Sequence, residues 1–86
     1  MTQFQSVREV TTLSDTEAAV LAHAINRDPS EGKPYAEPRY VAGFTATYAV
    51  KCIRAVLADT TITNMTATER ADLNAILGRL LAAVAV

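Results

Sequence analysis

Twice in this chain a hydroxyl residue is followed three positions later by glutamate, and then by an apolar run of helical period. The first instance is Ser14-Asp15-Thr16-Glu17 and the second is Thr66-Ala67-Thr68-Glu69. In such a pair the hydroxyl accepts a free backbone N–H of the first turn, while the carboxylate accepts the N–H of the capping residue itself. Each therefore marks a helix start. Thr2-Gln3-Phe4-Gln5 repeats the pattern more weakly.

The residues beyond the two strong caps agree with them. After Ser14, Ala18, Leu21, Ala22 and Ile25 share one helical face. Asp15 and Glu17 stand in the first turn and His23 and Arg27 near the end, an order that complements the helix dipole. Asp28-Pro29 ends that helix. After Thr66, Leu73, Ile76, Leu77, Leu80, Leu81 and Val84 form a wide stripe, with Thr68, Asp72 and Arg79 opposite. Gly78 inside this run costs about 1 kcal/mol relative to alanine, so a close backbone neighbour is expected there.

Between these two lies a third run, opened by Pro38 at a first-turn position. Ala46, Ala49, Val50, Ile53, Val56 and Leu57 give its buried face, and Lys51 and Arg54 its wet one. The expectation is an all-α single domain over residues 1–86. Its three main helices span about 15–27, 39–59 and 67–85, and a short N-terminal helix spans about Gln3–Glu9. Thr16-Glu17, Ala19, Leu21 and Arg27 also match Thr68-Glu69, Ala71, Leu73 and Arg79 in one ungapped register. Two capped amphipathic helices obeying the same rules account for that match better than a duplication does.

With 86 residues the chain has one modest core, which makes self-association relevant. Only five residues are aromatic and none is tryptophan, so aliphatic side chains and alanines must fill that core. The net charge of −1 argues against general polyanion binding. Six of the eight basic residues are arginine, which with the many alanines suggests a GC-rich bacterial or phage genome. The single cysteine, Cys52, excludes an internal disulfide and a cysteine zinc site, and fits a reducing cytoplasmic setting. The N-terminus lacks the basic and apolar pattern of a signal peptide. The longest apolar stretch, Leu80–Val86, is far short of the ~20 residues a bilayer requires, so no membrane association is expected.

Catalysis finds little support. His23 falls on the polar face of its helix and reads as a solvent-exposed residue, while Cys52 reads as a buried inert thiol. The three glycines are isolated and build no phosphate loop, and no metal-ligand spacing occurs. No enzyme activity, cofactor or metal is expected. The stretch Leu13–Leu21 is similar to the opening helix of winged-helix and helix-turn-helix regulators. A recognition helix rich in Arg, Lys, Asn or Gln should then come next, whereas Asp28-Pro29-Ser30-Glu31-Gly32 is acidic and broken by proline. A DNA-binding regulator is therefore the third reading.

Recognition is the better prospect. Lys33-Pro34-Tyr35-Ala36-Glu37-Pro38-Arg39-Tyr40 places two basic-Pro-Tyr units almost back to back. Tyrosine and arginine anchor interfaces, and prolines lower the ordering cost. Lys33, Tyr35, Glu37, Arg39 and Tyr40 are the expected partner contacts. Equally, the prolines and tyrosines of this loop can simply close one end of the bundle. The first expectation is a non-enzymatic regulatory or protein-binding module acting as a homo-oligomer, with a host protein as the candidate partner. Its self-contact would use Leu73, Leu77, Leu80, Leu81 and Val84, or the small-residue face Ala42, Gly43, Ala46 and Ala49. The alternative is an oligomeric binder of a small anionic ligand such as a signalling nucleotide. Lys33, Arg39, Lys51 and Arg54 would then hold phosphate, and Tyr35 or Tyr40 would stack on the base.

Overall fold

The fold is all-α. The computed structural model describes residues 5–28 and 36–83, in which α1 spans Val7–Val10, α2 Asp15–Arg27, α3 Pro38–Val41, α4 Ala46–Ala58 and α5 Ala67–Ala83. Among the described residues the one β-type pairing is an isolated bridge, Ser6 to Thr45. No helix among them is long and apolar enough to cross a membrane.

Both strong caps form as their residue types dictate. The Ser14 amide donates to Glu17 Oε1 at 2.9 Å, and Glu17 N donates back to Ser14 Oγ at 3.1 Å. The Thr66 amide donates to Glu69 Oε1 at 2.8 Å, and Glu69 N to Thr66 Oγ1 at 3.1 Å. These bonds fix the start of α2 at Asp15 and of α5 at Ala67.

The expected continuous helix over 39–59 is instead two helices, α3 and α4, separated by residues 42–45. The cause lies in the N-terminal segment. A continuous helix would bond Ala46 N to Ala42 O. Here the Ala42 carbonyl accepts from Arg8 N at 2.9 Å, and Phe44 O accepts from Val7 N at 2.8 Å. Ala46 N turns to Gln5 O at 2.7 Å. The first turns of α1 and α4 thus satisfy orphan groups against each other's flanking chain, a nonlocal substitute for helical bonding. Thr45 completes the new start by accepting Tyr48 N at 3.3 Å.

The same contacts shift the N-terminal helix. Of the expected span Gln3–Glu9, Gln3 and Phe4 lie outside the described residues, Gln5 and Ser6 are not helical, and α1 covers Val7–Val10. Its cap is Ser6, whose amide and hydroxyl both donate to Glu9 Oε1, at 2.8 and 3.0 Å. Ser6-Val7-Arg8-Glu9 is itself a capping box, directly after the weaker Thr2–Gln5 pattern in sequence.

The core lies between α2, α4 and α5, with α3 against α2. Leu21, Ile25, Val50, Ile53, Val56, Leu73, Ile76 and Leu80 are fully buried or nearly so, and Val7 and Val41 close its ends. Ala46 and Ala49 are fully buried too, which lets α4 sit close to its neighbours. Each large aliphatic side chain enclosed this way contributes about 1.5–3 kcal/mol relative to exposure.

α2 and α5 run antiparallel and are laced at both ends by the capping glutamates. Glu17 uses one oxygen for its own cap and the other for Arg79 Nη2. Glu69 does the same with His23 Nδ1, at 2.8 Å. The matched arginines also act reciprocally. Arg79 Nη1 donates to Thr12 O at 3.3 Å, before the α2 cap. Arg27 Nε and Nη2 reach Asn64 Oδ1, at 3.2 and 2.8 Å in the amide orientation that satisfies both groups, before the α5 cap. The internal sequence match therefore has a structural counterpart in two helices that clamp each other by the same device.

Candidate functional site

Of the expected contact residues, Glu37, Arg39 and Tyr40 stand together at the start of α3, whereas Lys33 and Tyr35 lie outside the described residues. Pro38 occupies the first turn of α3, where its missing N–H leaves no helical bond unmade. Asn26 Nδ2 donates to Ala36 O at 3.1 Å and ties the entry of this corner to α2. Arg39 Nε donates to Glu37 Oε1 at 2.7 Å. That bond holds the Arg39 guanidinium over the Tyr40 ring, 4.8 Å from its centre. Tyr40, at 55% exposure, is the exposed large hydrophobic residue of the described chain.

Arg8 is the member of this corner that sequence reasoning misses. The point where a Cβ on Gly43 would sit lies 3.4 Å from Tyr40 O and 3.7 and 3.8 Å from the two terminal nitrogens of Arg8. The Arg8 guanidinium therefore lies beside the α3–α4 turn, at ordinary contact distance from that point. No described carboxylate forms a salt bridge with Arg8. Its neighbour Glu9 is committed to Ser6, whose amide and hydroxyl hold the Glu9 carboxyl below its ordinary range, with the Arg8 charge a lesser cause. No local pattern around Arg8 signals this placement, because the Val7 and Arg8 backbone bonds to residues 42–44 produce it.

Lys51 and Arg54 are exposed on α4, about 8 and 12 Å along the helix axis from its start. They form a separate outer face of that helix, shared with Ala58.

The helix-five stripe divides. Leu73 and Leu80 are fully enclosed in the chain's own core and present no surface to a second molecule. Leu77 and Leu81 are half-buried and keep part of their surface. Val84 lies outside the described residues. On the alternative small-residue face, Ala46 and Ala49 are likewise consumed internally, and Gly43 faces Arg8.

The outer side of α5 is unusual instead. Its charged residues Glu69, Arg70, Asp72 and Arg79 are all half-buried along its flanks. Glu69 meets His23, Arg70 Nη2 donates to Ile62 O at 3.0 Å, and Arg79 meets Glu17 and Thr12. Every exposed α5 position among the described residues is uncharged, with Ala71, Asn74, Ala75, Gly78 and Ala82 along its length. A Cβ on Gly78 would meet nothing within 4 Å among the described residues, so the close backbone neighbour expected from its presence is not found among them.

The groups with nucleophilic or acid–base chemistry are placed structurally. His23 is part of the α2–α5 clamp, with 28% of its side-chain surface exposed, rather than a free surface residue. Cys52 is fully buried. The Glu17 and Glu69 carboxyls are held below their ordinary range, first by the Ser14 and Thr66 backbone amides and further by Arg79 and His23. Among the described residues no group of three His, Cys, Asp or Glu side chains is arranged to hold a metal ion. Comparison with protein-family models, curated proteins and solved structures finds no match for this chain.

Proposed function

We propose that this protein is a small non-enzymatic binding module that acts as a homo-oligomer, with the outer face of α5 as its self-contact. The uncharged exposed side of α5, with Gly78 at its centre, carries this reading. A surface helix ordinarily places its charges toward water. Here Glu69, Arg70 and Arg79 serve contacts within the chain and Asp72 is half-buried, and the exposed side is small, neutral and flanked by the partly open Leu77 and Leu81. A neutral face can meet its own copy without like-charge repulsion, and glycine and alanine allow two helices to approach closely. The arginine- and alanine-rich composition supports a bacterial or phage source, and the lone buried cysteine a reducing cytoplasmic setting.

Light scattering on a sizing column tests the reading. The expected result is a dimer or larger species at high micromolar concentration, converted to monomer by Ala75→Glu, with the helical circular dichroism unchanged. A monomer at all concentrations overturns it.

A second reading, binding of a small anionic ligand, is supported by the α3 corner. Arg39 and Tyr40 are stacked and exposed there, and Arg8 adds a cation with no salt-bridge partner among the described residues.

A further inference from the structure

We infer that Glu69 is an acceptor shared between two cations, and that the charge on His23 decides which of them holds it. With the imidazole protonated, Glu69 keeps His23. With the imidazole neutral, the Arg27 guanidinium takes its place. The joint between α2 and the start of α5 is thereby a pH-sensitive switch. It goes beyond the binding and oligomer readings and depends on neither.

The switch shows as a departure from an internal symmetry. Ser14, Glu17 and Arg27 stand to α2 as Thr66, Glu69 and Arg79 stand to α5, at one common sequence offset. The two arginines also reach across to residues at that same offset. Arg79 Nη1 donates to Thr12 O at 3.3 Å, and Arg27 Nε and Nη2 reach Asn64 Oδ1 at 3.2 and 2.8 Å in the amide orientation that satisfies both groups. On the first side one guanidinium spans two acceptors, since Arg79 Nη2 also bonds the second oxygen of Glu17. On the other side His23 Nδ1 takes the second oxygen of Glu69, at 2.8 Å, while Arg27 stays on Asn64. One residue makes the difference. The position equivalent to His23 is Ala75, whose methyl cannot compete for Glu17. His23 therefore occupies the place on Glu69 that the pattern gives to Arg27.

The two competitors differ in one property. Histidine changes charge near neutral pH, whereas a guanidinium stays charged throughout. Hydrogen bonds between charged partners are roughly twice as strong as neutral ones, so a carboxylate prefers a guanidinium to a neutral imidazole. Arg27 follows His23 by about one helical turn, so both side chains leave the same side of α2. The other charges on the helices packed against α2 are placed elsewhere. Arg70 of α5 donates to Ile62 O, and Glu37 and Arg39 of α3 bond each other. Lys51 and Arg54 lie on the exposed side of α4, and Glu17 with Arg79 closes the opposite end of the clamp. Asp28 is buried at the C-cap of α2, and Asp72 is half-buried three residues beyond Glu69. Moving Arg27 Nη2 to Glu69 takes one of its two bonds from Asn64, so the switch sets how firmly the α4–α5 connection is tied to α2.

Nuclear magnetic resonance of the isotope-labelled full chain, titrated between about pH 5 and 8, reads the switch directly. The expected result is that the Arg27 Nε–H signal and the Asn64 side-chain amide signals move with the same midpoint as the His23 ring. Glu69→Gln removes the contested carboxylate, so the ring should still titrate there while the other signals stay still. Arg27→Gln removes the competing cation and should raise the His23 midpoint by about half a unit, a roughly threefold tighter hold on the proton. Arg54→Gln, on the exposed side of α4, should leave that midpoint unchanged. Circular dichroism confirms that each variant stays folded. Arg27 and Asn64 signals that stay fixed in the parent while His23 titrates overturn the inference, and that measurement needs no variant. Movement that persists in Glu69→Gln also overturns it, since the signals would then report the nearby charge alone. A His23 midpoint unmoved by Arg27→Gln does the same.

Discussion

Replacing Gly78 by alanine gives the sharpest test of how α5 is built. The residue lies well inside a helix that continues to Ala83, and its outer side is open. Glycine in a helix interior is about 0.8–1.0 kcal/mol less favourable than alanine, because it loses more backbone freedom on folding. Among the described residues the added methyl would meet no heavy atom within 4 Å, so none of them imposes a steric cost that offsets that gain. The expected outcome is a stabilisation of about 1 kcal/mol. For a domain of this size it corresponds to a rise of roughly 4–8 °C in the thermal midpoint. In urea, with a slope near the low end of about 1–3 kcal/mol/M, the midpoint should move up by about 0.5–1 M with no change of slope. Both measurements belong at low micromolar concentration, where self-association is least. A loss of stability under those conditions would refute the reasoning, because something must then occupy the space beside Gly78. A gain at low concentration that shrinks as concentration rises would place a second copy against that face.

Other substitutions check the remaining contacts. Thr45→Ala removes the acceptor of Tyr48 N and should cost about 1 kcal/mol in urea denaturation, although residues 39–59 read as one uninterrupted helix in sequence. Leu73→Ala opens a cavity in the core and should cost about 2–5 kcal/mol, whereas Leu81→Lys at a half-buried position should cost much less. Acidification should destabilise the fold. The Glu17 and Glu69 carboxyls are lowered in the folded chain, so their stabilisation is complete above their usual value of 4.5 and is lost as pH falls through the lower folded value. A Glu17→Gln and Glu69→Gln double variant should lose less stability between pH 7 and pH 3 than the parent. An equal loss would assign the acid sensitivity to other groups.

Local chemistry settles much of this fold before any packing is considered. Ser14 with Glu17, and Thr66 with Glu69, place two helix starts to the residue, because the groups that form a capping box lie within one turn of each other. Leu73, Ile76 and Leu80 are core residues on periodicity alone, and the fold encloses them accordingly. The stacking of Arg39 on Tyr40 joins adjacent positions, but it is not anticipated from the sequence.

Tertiary structure decided everything that joins distant parts of the chain. The break between α3 and α4 has only Gly43 and Thr45 to announce it, and neither demands it. It exists because Gln5, Val7 and Arg8 exchange backbone bonds with Ala42, Phe44 and Ala46. The same exchange brings the Arg8 guanidinium to the Gly43 turn. His23 reads as a surface residue until α5 supplies Glu69, and Glu69 reads as a cap alone until its second oxygen finds His23. The α5 stripe could not by itself separate Leu73 and Leu80, which the core consumes, from Leu77 and Leu81, which it partly leaves open. A helical period identifies which residues share a face, but how far burial extends around that face depends on where neighbouring helices stand. For this chain the helices are a property of the sequence, and the corner, the clamps and the bare outer side of α5 are properties of their assembly.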